Sequence, residues 1–165
     1  MKRHPVRLAL VVAGALAAGQ AMASDTIVQF NRGIGVDPVA GITNGAPVLN
    51  TVLGVSPGGR PWVIRKLRAT IFADGSINAR GAGLLLAGGD GIGTRATIGQ
   101  VVATLFCGGV AFTSAAADLD TAGNFSIRGS LGAVPNPCAT PVLLIRNAGG
   151  AQTWFAAGIV GGDDD

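Results

Sequence analysis

The sequence predicts an all-β protein of antiparallel strands, and three observations lead to this prediction. Short apolar runs alternate with glycines, which make up 27 of the 165 residues. No segment keeps a helical period for three turns. The connections are too short and too rich in glycine for the crossover helices that parallel strands need. We therefore expect an antiparallel β-sandwich, Ig-like or Greek-key-like, of about eight short strands, with a closed barrel as the related alternative.

The start of the chain has the three regions of a cleavable export signal. Residues 1–7 are cationic, residues 8–18 are apolar, and residues 21–23 form the small-x-small site that signal peptidases read. The apolar segment is shorter than the roughly 20 residues needed to span a bilayer. We expect cleavage between Ala23 and Ser24, and a secreted or periplasmic product without an integral membrane segment.

Composition divides the rest of the chain into an N-terminal part and a core. Residues 24–61 are expected to form one strand and a Gly/Pro-rich surface excursion, because this stretch lacks the apolar residues for its own core. The sandwich core is expected over residues 62–160, and residues 161–165 form an acidic tail with three aspartates. The chain is therefore predicted to be a signal peptide, residues 1–23, followed by one domain.

Hydrophobic alternation places the individual strands. In residues 124–131, Phe125 and Ile127 face one way while Ser126 and Arg128 face the other, as expected of a half-buried antiparallel strand. The other predicted strands are residues 26–31, 48–53, 63–73, 76–86, 98–106, 110–118, 142–147 and 153–160.

Turns that contain glycine connect several of these strands. Asp74-Gly75 has the composition of a two-residue type I′ hairpin turn, in which both residues need positive φ. Residues 120–123 (Asp-Thr-Ala-Gly) and 107–109 (Cys-Gly-Gly) are predicted to close two further hairpins. Residues 91–96 (Gly-Ile-Gly-Thr-Arg-Ala) imitate a dinucleotide-binding fingerprint, but a strand rather than a helix is predicted after them, so we expect a loop there.

The charge balance argues against some functional classes. The chain has 12 Lys+Arg, 9 Asp+Glu and one His. The predicted signal holds Lys2, Arg3, Arg7 and the histidine, His4, so 12 − 3 = 9 bases face 9 acids after cleavage. A neutral chain predicts no nucleic-acid partner. Because no histidine is left to titrate near neutral pH, we expect no enzyme activity and no cofactor.

The chain has two cysteines, Cys107 and Cys138. In an oxidising compartment they most simply pair. Two cysteines without histidine are too few for a zinc site, and a catalytic cysteine would need a base. We therefore predict a disulfide, which closes a loop of roughly 31 residues and contributes about 3–4 kcal/mol by the chain-entropy model.

A single basic cluster supplies the candidate binding surface: Arg65, Lys66 and Arg68. Lys66 and Arg68 share one strand face, and Arg80 is expected opposite them on the hairpin partner. Trp62 precedes the cluster and could stack on sugars. These residues could meet a cell-surface protein or a polysaccharide. A solvated sheet face and a buried core tryptophan are the alternatives left open.

A family resemblance rests on three parts of the chain: residues 72–89 (FADGSINARGAGLLLAGG), residues 100–107 (QVVATLFC), and residues 141–147 with 154–159 (PVLLIRN and WFAAGI). They resemble a group of exported bacterial proteins of unassigned function with a disulfide-linked β-domain. The order of a glycine-rich loop, a Val-Val-x-x-Leu-Phe strand and a closing hairpin is also similar to CHRD domains, named from chordin. Neither resemblance implies a catalytic residue.

The sequence therefore predicts an exported, soluble β-protein that acts by non-catalytic binding or as a structural part of the cell exterior. One alternative is an extracellular hydrolase, which would use Asp118 with Asp120 or a serine with Lys66. A second alternative is a subunit that self-assembles into a surface layer or fibre through a free strand edge such as residues 153–160.

Overall fold

The computed structural model of the protein describes residues 25–161, and within this range the chain is all β with no helix. The predicted signal, its cleavage site between Ala23 and Ser24, and the aspartates at 163–165 lie outside the described residues. The strands are β1 (Thr26–Gly35), β2 (Val39–Thr43), β3 (Ala46–Leu49), β4 (Trp62–Val63), β5 (Lys66–Phe72), β6 (Ser76–Ala82), β7 (Leu85–Leu86), β8 (Gln100–Cys107), β9 (Val110–Thr113), β10 (Ala117–Asp118), β11 (Phe125–Ser130), β12 (Val142–Asn147) and β13 (Trp154–Val160).

Nine strands form one antiparallel sheet. Eight follow in the order β10-β8-β12-β13-β1-β5-β6-β11, and β9 also pairs with β8. The sheet curls until its two end strands, β10 and β11, approach each other. The all-β antiparallel prediction is confirmed. The sandwich, Ig-like and Greek-key-like descriptions are not confirmed, because the strands hydrogen-bond into one continuous sheet rather than two facing ones.

The core lies inside the curl of the sheet and follows from the alternation of its strands. In β5, Leu67, Ala69 and Ile71 are buried, and the residues between them are exposed or half-buried. Burying one large apolar side chain stabilises the fold by about 1.5–3 kcal/mol. The largest fully buried side chains include Phe30, Leu67, Ile71, Leu84, Leu105, Leu143, Leu144 and Ile145.

Close packing requires glycine at two positions next to the core. A Cβ on Gly81 would overlap with the ring of Phe125, and a Cβ on Gly35 would overlap with the backbone carbonyl of Trp62. A larger residue at either position would force neighbouring strands apart. The two glycines therefore let an aromatic ring and a backbone segment pack directly against the sheet.

The predicted disulfide between Cys107 and Cys138 is present, with the two Cα atoms 4.9 Å apart. It joins the end of β8 to the loop before β12. A disulfide fits an oxidising compartment, extracellular or periplasmic. Within residues 25–161, no helix is long and apolar enough to cross a membrane.

The turn between β5 and β6 differs from the predicted two-residue type I′ turn. Ile71 pairs with Ile77, and the N–H of Gly75 donates to the carbonyl of Phe72 at 2.9 Å. Residues 73–75 therefore form a three-residue loop, in which only Gly75 has positive φ (77°). This is the pattern of a type I turn followed by a left-handed glycine.

Three further predictions about strands are also corrected. Residues 120–123 form a turn, but the strands beside it, β10 and β11, pair with β8 and β6 and not with each other. Residues 76–86 do not form one strand, because Gly83 (φ 69°) separates β6 from β7. Residues 153–160 are not a free edge, because β13 lies between β12 and β1. The predicted hairpin at residues 107–109 is confirmed and joins β8 to β9.

The segment between β1 and β4, predicted as a surface excursion with a strand at residues 48–53, contains the hairpin β2–β3 instead, and its second strand ends at Leu49. Asn44 and Gly45 close it with φ values of 50° and 77°. Every residue of both strands is exposed. At its base, the indole N–H of Trp154 donates to the carbonyl of Asn50 at 2.9 Å. We call residues 39–49 the arm.

Candidate functional site

The outer side of β5, β6 and β11 carries basic side chains. Side chains alternate along a strand, so the residues between the buried ones face away from the core. Lys66 and Arg68 of β5, Arg80 of β6 and Arg128 of β11 occupy such positions, and all four are exposed. The hydrophobic pattern that builds the core therefore also gathers four cations on one outer surface.

The strand register brings two of these cations face to face. Arg68 pairs directly with Arg80, and Arg80 pairs on its other side with Ser126. Lys66 lies opposite Ala82. Like charges directly opposite each other in a sheet are destabilising. The Arg68–Arg80 pair therefore costs stability that no cross-strand acid offsets.

Two adjoining grooves run between these side chains. The first, of about 370 Å³, is lined by Lys66, Arg68 and Arg80 together with Thr70 and Asn78. The second, of about 430 Å³, shares Lys66 and Arg68 with the first and adds bases from β1 and from the residue before β5. Among residues 25–161, no aspartate lines either groove. We call the five bases of the two grooves the cationic face: Arg32, Arg65, Lys66, Arg68 and Arg80.

The cationic face has no internal partner among residues 25–161. No residue in the part of the chain that the structure describes accepts a hydrogen bond from these five side chains or forms an ion pair with them. Arg146 shows the opposite situation. Its Nε donates to the carbonyl of Gln152 at 2.8 Å and its Nη1 to the hydroxyl of Thr104 at 3.2 Å, and partial burial lowers the pKa of its guanidinium. Arg146 is held by the fold, whereas the side chains of the cationic face form no such bonds with residues 25–161.

Both tryptophans belong to the core. Trp62 is 5% exposed, and its ring stacks on that of Phe155 with the centroids 4.2 Å apart. Trp154 is 4% exposed and is held by the hydrogen bond to Asn50. Trp62 was grouped with Arg65, Lys66 and Arg68 as a candidate binding surface. It is instead a buried core residue and lines neither groove of the cationic face.

The two aspartates considered for hydrolysis have different surroundings. The carboxylate of Asp120 accepts hydrogen bonds from the backbone N–H groups of Asn124 and Ala122, and from the side chain of Asn124. The bonds from Asn124 are the main reason why the pKa of Asp120 lies below its usual value. Asp118 accepts a hydrogen bond from Gln100 at 3.0 Å. Asp120 is thus a turn cap. Among residues 25–161, no group of acids, cysteines or histidines has the arrangement of a metal site.

One residue of the cationic face, Arg32, was not predicted from the sequence. Arg32 lies 33 positions before Arg65 in the sequence. It joins the face because β1 pairs with β5. No local sequence pattern predicts the pairing of β1 with β5. The fingerprint-like residues 91–96 form a loop, as predicted.

Comparison with known proteins adds no relative to this picture. No family model matches the chain, and neither the curated proteins nor the solved structures give a match. The resemblance to CHRD domains is therefore unsupported.

Proposed function

We propose that the protein is an exported, non-catalytic binding component of the cell exterior, and that its cationic face binds a polyanionic polysaccharide. One observation carries the proposal. Five bases lie in two adjoining grooves on a rigid sheet, without an acidic partner among the described residues. Keeping Arg68 opposite Arg80 costs stability, and a bound polyanion would offset that cost.

The geometry of a sheet supports a repeating ligand. Alternate residues on one strand, such as Lys66 and Arg68, are about 7 Å apart, and neighbouring strands are about 4.8 Å apart. A linear polymer with regularly spaced sulfate or carboxylate groups can meet such an array at several points. The disulfide fits the oxidising compartment in which an exported protein would encounter this polymer.

The alternatives have less support. A hydrolase based on a serine and Lys66 needs the two side chains together, but no serine of the described residues lines either groove that Lys66 lines. Asp120 is committed to its turn by three hydrogen bonds. Self-assembly through residues 153–160 lacks its edge, because β13 is paired on both sides.

Binding to immobilised dextran sulfate, with neutral dextran as the reference, tests the proposal. We expect retention on dextran sulfate that falls as salt rises, because exposed charges are screened within about 8–10 Å at physiological ionic strength. The double variant Arg68→Gln/Arg80→Gln should bind about 10-fold or more weakly, the loss of two charge-assisted contacts.

The matched comparison is between Arg80→Gln and Arg128→Gln. Both remove one exposed charge from the outer side of neighbouring strands, but Arg128 lines neither groove of the cationic face. Arg80→Gln should weaken binding more than Arg128→Gln. Equal losses would mean that only net charge matters, and no retention of the wild-type protein would overturn the proposal.

A further inference from the structure

A separate pocket lies where three loops meet beside β4 and the start of β13. It has a volume of about 300 Å³, and its walls include Arg60, Thr97, Asn147 and Thr153. It shares no lining residue with either groove of the cationic face. Ligand pockets in proteins range from about 300 to 1,000 Å³, so this one has room for a single small ring rather than a long ligand.

The wall of the pocket includes the stacked pair Trp62 and Phe155. Gly58 lies directly on this pair, since a Cβ added to it would sit 2.9 Å from the Phe155 ring and 3.1 Å from Nε1 of Trp62. The backbone N–H of Gly58 donates a hydrogen bond to the carbonyl of Trp154 at 2.9 Å. The absence of a side chain at Gly58 keeps Nε1 of Trp62 next to the pocket.

The two indole N–H groups of the described chain are in different situations. That of Trp154 donates to the carbonyl of Asn50 at 2.9 Å. That of Trp62 has no acceptor among residues 25–161, although it is not sealed from solvent. An indole N–H can only donate, so a bound oxyanion could accept the hydrogen bond that no residue from 25 to 161 accepts from Trp62.

The other polar groups of the pocket have the same bias towards donors. Arg60 has no hydrogen-bond or ion-pair partner among the described residues, and a guanidinium only donates. The side-chain oxygen of Asn147 already accepts the N–H of Gly149 at 3.2 Å, which leaves its NH₂ group for a ligand. The hydroxyls of Thr97 and Thr153 can donate as well. No aspartate within residues 25–161 lines the pocket.

We infer that this pocket binds the oxyanion of a single acidic sugar residue, a carboxylate or a sulfate. Arg60 supplies the positive charge, and Trp62 and Asn147 supply neutral donors around it. The ring of the sugar would cover the edge of the stacked aromatic pair. The site is independent of the cationic face, so it stands or fails separately from the proposed function.

The two tryptophans make the test direct, because each indole N–H gives its own signal in a ¹⁵N–¹H correlation spectrum. The disulfide-bonded protein is titrated with D-galacturonate, D-galactose 6-sulfate and D-galactose to about 50 mM, a range that detects dissociation constants of about 1 mM and above, or roughly 4 kcal/mol of binding free energy. We expect the Trp62 signal to shift with one or both acids and the Trp154 signal to stay in place. The two acids distinguish a carboxylate from a sulfate as the preferred group.

Two variants complete the test. Arg60→Gln should weaken the acid-dependent shift about 10-fold or more, because a charge-assisted contact is lost. Arg80→Gln, on the cationic face, should leave it unchanged. The inference is overturned if neither acid moves the Trp62 signal, if galactose moves it as much as the acids do, or if Arg60→Gln binds like the wild type. Arg60 is exposed, so its replacement leaves the core intact.

Discussion

The sheet and the arm use the same strand-and-turn elements with opposite results. The sheet buries its apolar side chains and is cross-linked by a disulfide, and its basic side chains lie on its outer surface. The arm exposes Ile42 and Leu49 at 73% and 57%, and no residue from 38 to 59 is charged. Both the sheet and the arm contain regular hairpin turns. Regular turns therefore do not explain why one region is a stable core and the other projects into solvent.

The difference shows that burial and cross-linking, rather than strand pairing, determine where the stability of this chain resides. An isolated two-stranded hairpin is at best marginally stable in water. In the arm, β2 and β3 pair with each other across the Asn44-Gly45 turn, and Trp154 donates to Asn50 at the base of the arm. Changes in the sheet should therefore alter global unfolding, whereas changes in the arm should remain local.

The largest effect is expected from the disulfide. The variant Cys107→Ser/Cys138→Ser should lose about 3–4 kcal/mol of unfolding free energy, because the open chain gains the entropy that closing this loop removes. Denaturant unfolding followed by tryptophan fluorescence measures the loss. Reduced wild-type protein serves as the control and should behave like the variant. A variant as stable as the oxidised protein would contradict the assignment of stability to the stapled sheet.

The faces of the strands could be predicted from the sequence because alternation is a local property. The register could not, because it depended on the turn. A two-residue loop at Asp74-Gly75 would have paired Ala69 with Arg80 and placed an arginine on the core side. The three-residue loop pairs Arg68 with Arg80 instead. A type I turn with a left-handed glycine is thus the solution that agrees with the apolar faces of both strands.

Other features fail to appear in the sequence for two different reasons. The pairing of β1 with β5, and of β11 with β6, joins segments that are distant in the chain, and no local pattern encodes it. The arm is a different case. Asn44-Gly45 is the strongest short-range hairpin signal, but the many glycines and prolines around it favoured an irregular reading. The pocket at Trp62 could not be predicted from the sequence, because three loops that are distant in the chain form it.

A matched pair of leucines tests the comparison between the sheet and the arm, and the larger of the two expected losses of unfolding free energy is similar to that from the disulfide. Leu105 in β8 is fully buried, whereas Leu49 in the arm is 57% exposed. Leu105→Ala should cost roughly 3 kcal/mol, within the range for buried Leu→Ala changes, because it removes packed methyl groups and leaves a cavity. Leu49→Ala should stay within about 0.5 kcal/mol.

Chemical denaturation of both leucine variants provides the measurement, and hydrogen exchange shows where each acts. Protection of the sheet amides should fall in Leu105→Ala and stay the same in Leu49→Ala. A large loss in Leu49→Ala would mean that the arm contributes to the cooperative core. In that case the separation between arm and sheet would be wrong.

The smallest expected effect is a dependence on pH that arises in the turn before β11. Hydrogen bonds from Asn124 and Ala122 hold the pKa of Asp120 below its usual value of about 3.9. A carboxylate whose pKa is lowered on folding stabilises the protein above its unfolded pKa, and that stabilisation is lost as pH falls through the folded pKa. Asp120→Asn should therefore be less stable than the wild type at pH 7, and the difference should shrink below about pH 4.

Unfolding of the wild type and of Asp120→Asn at pH 7, 4 and 2.5 measures this change. Thr121→Ala, at an exposed position in the same turn, controls for disturbance of the turn itself and should show no such convergence at low pH. A gap between Asp120→Asn and the wild type that is equally large at pH 7 and 2.5 would show that the ionised carboxylate is not the stabilising species. The turn would then contribute through its backbone geometry alone.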